Sequence, residues 1–457
     1  MSTRLVEVAL PLPLLRTFTY RVPEPTRHPL VAGSRVVAPV KGKRVIGICV
    51  GESDGAALGD REARALLDVP DAEPALGPDL LAVCRWISEY YIAPLGLVTR
   101  AVLPVALGVA ARPDAPGKSE RLLVLARELP TLMARDEAFK RAVQQRQLYD
   151  LLEQLGGRAP VAHLIERLGC SASVVQGLVK RGFARIESAT RLRDPFAART
   201  PDPVPAVTPT EAQRAAIAAI VAAAPRSTTL VHGITGSGKT LVYLEVLKEI
   251  VLRRGQSAIV LVPEIALTPQ AVDRFRAVFG DQVAVLHSAL SDGERLDAWR
   301  ALRRGERRIA VGARSAVFAP LEHLGAIIVD EEHEASYKQA ETPRYHAREV
   351  AIVRARETGA VCVLGSATPS LESWVNVREA RFALQSLPAR VGGGRLPDVR
   401  VVDLRAEAKA SPPADRARRA VLSAALETAL RERLERGEQS ILLLNRRGYA
   451  SFVQCDE

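Results

Sequence analysis

The sequence predicts a multidomain α/β protein: a β-rich N-terminal unit, a winged helix, a P-loop lobe built on a parallel sheet, and the start of a second α/β unit. Three observations carry that prediction. The 457 residues exceed what one hydrophobic core organises. From about residue 207 to 390, apolar runs of strand length alternate with helical patterns, as in a parallel sheet covered on both faces. Between one such strand, TTLVH, and the helix that follows it lies a complete GxxxxGKT: Gly233, Ile234, Thr235, Gly236, Ser237, Gly238, Lys239, Thr240.

Residues 1–105 form the first unit. RTFTYRV and SRVVAPV read as strands, Lys41-Gly42-Lys43 as a turn and RVIGICVG as a further strand. DLLAVCRWISEYYI has helical spacing, which Pro94 ends. Residues 106–139 read as a linker because the stretch 112–120 is polar and carries Pro, Gly and Asp. Residues 140–189 read as the winged helix. RQLYDLLEQLGG, APVAHLIERLG and CSASVVQGLVKRG are its three helices and FARIES is a short strand, with Gly169 between the second and third helices and Ser171 or Ser173 as a cap. A plain three-helix bundle competes, because the third helix offers only Lys180 and Arg181 to phosphates. Residues 190–206, rich in Pro, Arg and Asp, are a second linker. Residues 207–390 are the P-loop lobe. Residues 391–457 begin another α/β unit with LPDVRVVDL, the helix SAALETALRERLERG and the apolar strand ILLL.

Hydrophobic content of 47% and charged content of 25% suit a folded, soluble protein. No uncharged apolar run reaches the roughly 18 residues of a membrane span, and the N-terminus lacks the features of a signal peptide, so the cytoplasm is the expected location and no membrane partner is expected. The net charge of +11 favours a polyanion, nucleic acid first. An arginine bias is a competing origin of that charge, since only nine of the 63 basic residues are lysine. Cys49, Cys84, Cys170, Cys362 and Cys455 form no CxxC pair, which argues against a disulfide framework and against a complete zinc site.

The P-loop spacing has a chemical reason. Glycines let backbone N–H groups turn inward around phosphates, and the following helix adds its positive end. Lys239 is expected to reach the β- and γ-phosphates of ATP, and Thr240 to offer its hydroxyl to Mg²⁺. Asp330-Glu331-Glu332-His333 follows the apolar strand AIIV, where a carboxylate faces the ligand crevice of a parallel sheet. Asp330 is the second expected Mg²⁺ group and Glu331 the candidate base for the attacking water. Ser366-Ala367-Thr368 ends a third strand, and together with His333 it is expected to link the nucleotide site to a nucleic-acid face. Gln213, ahead of the P-loop strand, is a candidate reader of adenine. Thr268 and Arg314 are candidates for holding a phosphate backbone. Tyr337, Lys338, Arg344, Tyr345 and Arg348 mix aromatic and basic groups as single-strand binding surfaces do.

Taken together, the P-loop, DEEH and SAT segments match the first, RecA-like motor lobe of superfamily 2 helicases. VPEIALTPQ, LHSALSDGERLDAWR, the run GARSAVFAPLEHLGAIIVDEEHEASYKQAETPRYHAREVA, LGSATPSLESW and NRRGYA resemble the PriA family of replication-restart helicases, as does the opening LPLPLLRTFTYRVP. The resemblance implies an ATP- and Mg²⁺-dependent helicase that unwinds 3′ to 5′, recognises stalled or repaired forks and helps reload the replicative helicase. Its implied partners are forked and single-stranded DNA, single-strand-binding protein and primosome or helicase-loading proteins, in a nucleoid-associated setting. The N-terminal unit would hold a DNA 3′ end with Phe18, Tyr20, Gly42 and Lys43, although Thr19 stands where many members carry Asp. The loop Ser336–Arg348 would couple DNA binding to hydrolysis. The family's zinc module begins just after NRRGYA. Cys455 sits where the first ligand would be, and one thiolate cannot complete a four-coordinate site, so zinc is expected only in a longer protein. The sequence therefore reads as C-terminally truncated, with weak hydrolysis by this chain alone. A fork-binding loading platform and another fork-remodelling DNA translocase are the rival readings.

Overall fold

The computed structural model describes residues 4–109, 118–129, 131–140, 142–191, 207–288, 290–391, 398–413 and 422–443. The chain divides into two compact units, Met1–Gly393 and Gly394–Glu457.

The first unit opens with an antiparallel sheet of β1 (Leu5–Ala9), β2 (Phe18–Arg21), β3 (Arg35–Val40) and β4 (Lys43–Glu52), in the order β2-β1-β4-β3. The β3–β4 hairpin closes on Lys41 and Gly42, both at positive φ, 44° and 77°. Two such residues give the turn whose twist matches the flanking strands. Val6, Val8, Tyr20, Val36 and Ala38 fill one face of this sheet. Below the β1–β2 pair, burial opposes the charge of Glu7, but hydroxyl donation from Thr17, Thr19 and Ser53 outweighs it and holds the carboxyl below its ordinary value. Two helices follow, α1 (Pro78–Tyr90) and α2 (Leu95–Val102). Gly96 lets α2 meet β1, because a Cβ there would fall 1.6 Å from the Leu10 carbonyl oxygen. The apolar face of α1, with Leu80, Leu81, Cys84 and Ile87, packs with Ala347, Val350 and Ala351 from the P-loop lobe. The N-terminal unit and the lobe thus share a core.

The stretch 106–139, expected as a linker, instead carries β5 (Lys118–Leu125) and α3 (Leu132–Ala138). β5 is the middle strand of a three-stranded sheet, β6-β5-β7, with β6 (Arg158–Pro160) and β7 (Ala184–Arg191). It pairs antiparallel with β7, Leu123 opposite Ile186, and Leu123, Leu129 and Phe139 enter the same core as Leu148 and Leu164. The pairing partner lies about sixty residues along the chain, out of reach of a local pattern. The three expected helices are present as α4 (Val143–Gln154), α5 (Val161–Leu168) and α6 (Ala172–Lys180), and α5 ends on Gly169 in the left-handed conformation. Ser171 precedes α6 without capping it; its hydroxyl meets Ser173 Oγ at 2.7 Å. The expected linker 190–206 lies almost wholly outside the described residues.

The P-loop lobe is the predicted parallel sheet. Its strands are β8 (Thr228–Gly233), β9 (Ser257–Leu261), β10 (Val283–Leu286), β11 (Ile309–Gly312), β12 (Leu324–Val329), β13 (Val361–Ser366) and β14 (Ala383–Leu387). They run in the order β10-β11-β9-β12-β13-β8-β14, each pair parallel. The buried strands are near-continuous in Val, Ile, Leu and Ala, as a sheet covered on both faces requires. The helices α7 (Glu211–Val221), α8 (Lys239–Leu247), α9 (Pro269–Phe279), α10 (Asp292–Arg303), α11 (Ala347–Thr358) and α12 (Leu371–Arg378) cover it. β12, β13 and β8 are neighbours, so Asp330, Ser366 and the P-loop leave the sheet side by side at its carboxyl edge.

The second unit shows helices Leu404–Ala410 and Ala424–Glu435. The expected strand ILLL is not one among its described residues: Ile441, Leu442 and Leu443 are unpaired and exposed. A parallel strand needs neighbouring strands to satisfy its backbone. Among the described residues, no helix is long and apolar enough to cross a membrane.

Candidate functional site

The P-loop leaves β8 at Gly233 and enters α8 at Lys239. Gly236 and Gly238 take φ of 81° and 79°, a region costly for any residue with a Cβ. Gly233 is needed for space as well, since a Cβ there would lie 2.5 Å from Ser237 Oγ. The Ser237 hydroxyl is buried and has no protein partner. An unpaired buried hydroxyl in a loop at a helix N-terminus fits a phosphate ligand, because such a group is costly to leave unbonded. Thr240, the second residue of α8, is half-buried beside it.

Lys239 is buried and double-tethered. Its Nζ donates to the Gly233 carbonyl at 3.1 Å and pairs with Glu331 Oε1 at 3.2 Å. Glu331 sits at φ 44°, a strained conformation for a non-glycine residue and one that turns the chain directly after β12. Asp330 accepts a hydrogen bond from Tyr243 Oη at 3.0 Å. Burial, and then the neighbouring Glu331, push the Asp330 carboxyl above its ordinary value, while the Tyr243 hydroxyl opposes the shift. Nucleotide with Mg²⁺ fits this constellation: Lys239 and the loop N–H groups would hold phosphates, and Thr240 and Asp330 would face the ion, which neutralises phosphate charge when bound.

Tyr243 had no motif to announce it. It lies in the middle of α8 and reads as core, yet its hydroxyl fixes the rotamer of Asp330. Gly365 on β13 makes room, since a Cβ there would sit 1.6 Å from Tyr243 Oη. Tyr243→Phe should leave the fold intact and weaken Mg²⁺-dependent nucleotide binding by about tenfold, the worth of one charged hydrogen bond. Titrating Mg²⁺ against a fluorescent ATP analogue checks this, and an unchanged Mg²⁺ dependence would remove Tyr243 from the site.

Glu332 has a different role from its neighbours. It is fully buried and accepts from the Ser370 amide (2.7 Å), Ser370 Oγ (3.0 Å), Ser373 Oγ (2.9 Å) and Arg348 (2.9 Å), so it ties the DEEH turn to α12. His333 shares hydrogen bonds with Ser366 Oγ (2.8 Å, through Nδ1) and Thr368 Oγ1 (3.3 Å, through Nε2). The structure therefore joins His333, Ser366 and Thr368, the three residues expected to act as a link. His333 Nδ1 is also 3.8 Å from Glu331 Oε2.

Several expected ligand contacts are occupied by the protein itself. The Gln213 amide is buried: Oε1 accepts from the Thr210 amide at 2.8 Å and Nε2 donates to the Ser237 carbonyl at 2.8 Å. It braces the P-loop from behind, so both ends of the amide already hold protein partners. Tyr337 and Tyr345 are core residues. Tyr337 Oη donates to the Asp330 carbonyl at 2.7 Å, and the Tyr345 ring packs edge-on to Phe318. Arg314 donates to the Ser336 and Lys338 carbonyls, clamping the loop rather than a phosphate. Arg348 is buried between Glu332 and Glu349. Thr268 caps α9 through the Ala271 amide. Arg181 bonds Gln145 and the Ala138 carbonyl and lies over the Phe139 and Phe183 rings. Lys338 and Arg344 stay exposed on the loop, and Lys180 on α6 is exposed with no partner among the described residues.

In the N-terminal unit, Phe18 is half-buried under Arg16, Tyr20 is buried with Oη on the Pro39 carbonyl, and Gly42 and Lys43 form an exposed turn. Phe18 and Tyr20 lie on an edge strand two residues apart, on one face of β2. Cys455 falls outside the described residues. Among those residues, no group of three or more His, Cys, Asp or Glu could hold a metal ion.

Comparison with known proteins came to the same regions. Residues 7–104 match the model of a 3′DNA-binding domain, and residues 210–377 match the DEAD/DEAH box helicase model. The chain is similar to "Replication restart protein PriA" of Bacillus subtilis, at 35% identity over 96% of this chain and 61% of that protein. It is similar to the same-named proteins of Synechocystis (44% over 72% of this chain and 39% of the relative) and Haemophilus influenzae (33% over 99% and 60%). The chain thus spans between about two fifths and three fifths of the length of these relatives.

Proposed function

The chain belongs to the PriA family of replication restart proteins, and on that premise we propose that it carries the ATP-driven half of a 3′–5′ DNA helicase acting at stalled or repaired replication forks. The observation that carries the reading is the grouping of Lys239, Asp330 and Glu331 at the ends of β8 and β12, two strands either side of β13, with a buried Ser237 hydroxyl, unpaired among the described residues, in the loop beside them. In this reading Lys239 and the P-loop amides hold the ATP phosphates, Asp330 and Thr240 face Mg²⁺, and Glu331 orients the attacking water. The tether between Glu331 and Lys239 is the resting arrangement. Phosphate takes over the lysine, and the carboxylate is released to accept a proton. The His333–Ser366–Thr368 bonds link that carboxylate to β13, which supports a coupling role for them.

Forked and single-stranded DNA, single-strand-binding protein and primosome or helicase-loading proteins are the partners this reading names, with promotion of primosome assembly as the outcome in a cytoplasmic, nucleoid-associated setting. Phe18, Tyr20, Gly42 and Lys43 are the proposed 3′-end contacts, a reading supported by the exposed Gly42–Lys43 turn and by Phe18 lying half-buried on the edge strand β2. Zinc belongs to the same reading for a longer protein, with Cys455 its first ligand.

The test compares this chain with a version extended past Glu457, on forks that carry a 3′ end at the junction. ATP-dependent unwinding by the extended protein should fall by about 100-fold or more in Glu331→Gln, which removes the general base. DNA affinity should drop steeply with salt as phosphate contacts release counterions. Tight fork binding without ATP turnover in the extended protein would point instead to a loading platform. A flat salt response would count against DNA.

A further inference from the structure

The aromatic groups expected to stack on DNA, Tyr337 and Tyr345, are buried, but another aromatic cluster, with one ring exposed, lies beside their loop. At the carboxyl end of α1, the Trp86 and Tyr90 rings stack with centroids 4.9 Å apart and planes 17° from parallel. Tyr91 meets both edge-on, at 5.9 and 4.9 Å. Tyr90 is 64% exposed and Ile92, which follows at φ 49°, is 76% exposed. Trp86 and Tyr91 pack partly against the core, but Tyr90 and Ile92 project from it, and an exposed ring beside an exposed β-branched residue at positive φ is costly.

A cation from the P-loop lobe, Lys338, shares this surface, and the backbone of a second, Arg344, is bonded to it. Lys338 Nζ lies 4.9 Å above the Tyr91 ring and donates to the Arg344 carbonyl. The Arg344 guanidinium is exposed and in no ion pair among the described residues. The junction is fixed, since Tyr91 Oη accepts from the His346 amide at 3.1 Å.

We propose that the end of α1, through Trp86 and Tyr90, together with Lys338 and Arg344, forms a stacking platform for single-stranded DNA. The proposal rests on the reading of the chain as a DNA motor and adds a contact site that joins its N-terminal unit to the motor lobe. A base laid on the outer face of Tyr90 continues the Trp86–Tyr90 stack, and Lys338 and Arg344 meet the phosphates on either side. The occupant is a single strand because a duplex hides its base faces. It is an anion because Lys338 lies over the Tyr91 ring, Arg344 is exposed in the same loop, and the chain carries a net charge of +11.

The experiment uses the whole chain and a labelled oligothymidine of about 16 nucleotides, a length within the usual single-strand site size. Tyr90→Ala should weaken binding about tenfold, the loss expected for one stacked base, and Tyr90→Phe should bind as wild type. A strand carrying 2-aminopurine should be quenched on binding by wild type and by Tyr90→Phe but not by Tyr90→Ala. Binding of a fluorescent ATP analogue, measured in the same preparations, should be equal in all three. Equal oligothymidine affinity in wild type and Tyr90→Ala overturns the platform and leaves the motor reading standing. A wild-type chain that binds the ATP analogue but no oligothymidine overturns both. A dimer that Tyr90→Ala dissociates, with DNA binding unmoved, assigns the patch to a second copy of the chain and overturns the proposal.

Discussion

Lys239→Ala should lower nucleotide affinity by about 100-fold and remove ATP turnover, while leaving the fold intact. The size follows from what the amine does. Lys239 is the single cation of the P-loop, and its two observed partners, the Gly233 carbonyl and Glu331, hold it at the head of α8. Each charge-assisted hydrogen bond it transfers to phosphate is worth about 1.5–3 kcal/mol, and it makes such bonds to two phosphates, so about 3 kcal/mol, or two decades in affinity, is a modest expectation. The substitution also strands Asp330 and Glu331 side by side with no cation between them, which further opposes an anionic ligand. Titration with a fluorescent ATP analogue at saturating Mg²⁺ reads the effect, with thermal melting as the control for folding. Glu331→Gln is the comparison, since it should keep binding and lose only turnover. If Lys239→Ala binds within a few-fold of wild type, the loop does not hold phosphate as argued.

Such a prediction is possible because this part of the site is written locally. Each piece of the nucleotide site is a short run of residues at the end of an apolar strand, and a parallel sheet brings strand ends together whatever lies between them. The glycines, the lysine and the acidic turn are therefore legible in the sequence. The rest of the site depends on which side chains meet across the fold, and composition does not encode that. Arg348 reads as a free cation until Glu332, sixteen residues earlier, is seen to hold it in the core. Tyr337 reads as a stacking ring until its hydroxyl is found on the Asp330 carbonyl. Gln213 reads as an adenine contact, and the sequence does not show that both ends of its amide also bond within the protein, to the capping box of α7 and to the P-loop. Tyr243 was invisible for the converse reason, because a tyrosine on a buried helical face looks like packing until its one polar atom is traced to Asp330. The same limit applies at the scale of domains. β5 is not legible locally because its pairing partner is distant, and the apolar face of α1, at the end of the N-terminal unit, gives no sign that it also packs into the core of the motor lobe.

That shared core leads to the largest expected loss of stability. Asp79→Ala should destabilise the chain by about 3 kcal/mol and uncouple the N-terminal unit from the lobe. Asp79 lies in the first turn of α1, where the helix dipole already favours a carboxylate, and its Oδ2 meets Arg354 of α11 at 3.1 Å. Arg354 is completely buried. Its Nη1 donates to the Val317 carbonyl at 2.5 Å, and its Nε has no partner among the described residues. Burial pulls the guanidinium below its ordinary pKa, and Asp79 is the main group opposing that shift. Removing the aspartate therefore leaves a charge in the core with one carbonyl to satisfy it. Breaking a buried pair from one side costs about 3–5 kcal/mol, and because Asp79 keeps 27% of its side chain in water the lower end applies. Urea unfolding followed at Trp86 in α1 and at Trp374 in α12 should give one transition in wild type and an earlier Trp86 transition in the variant. The double variant Asp79→Ala/Arg354→Met should recover most of the loss, because no charge is then buried. A loss below about 1 kcal/mol in Asp79→Ala would mean that water, not Asp79, solvates Arg354, and that apolar contact alone holds α1 on the lobe.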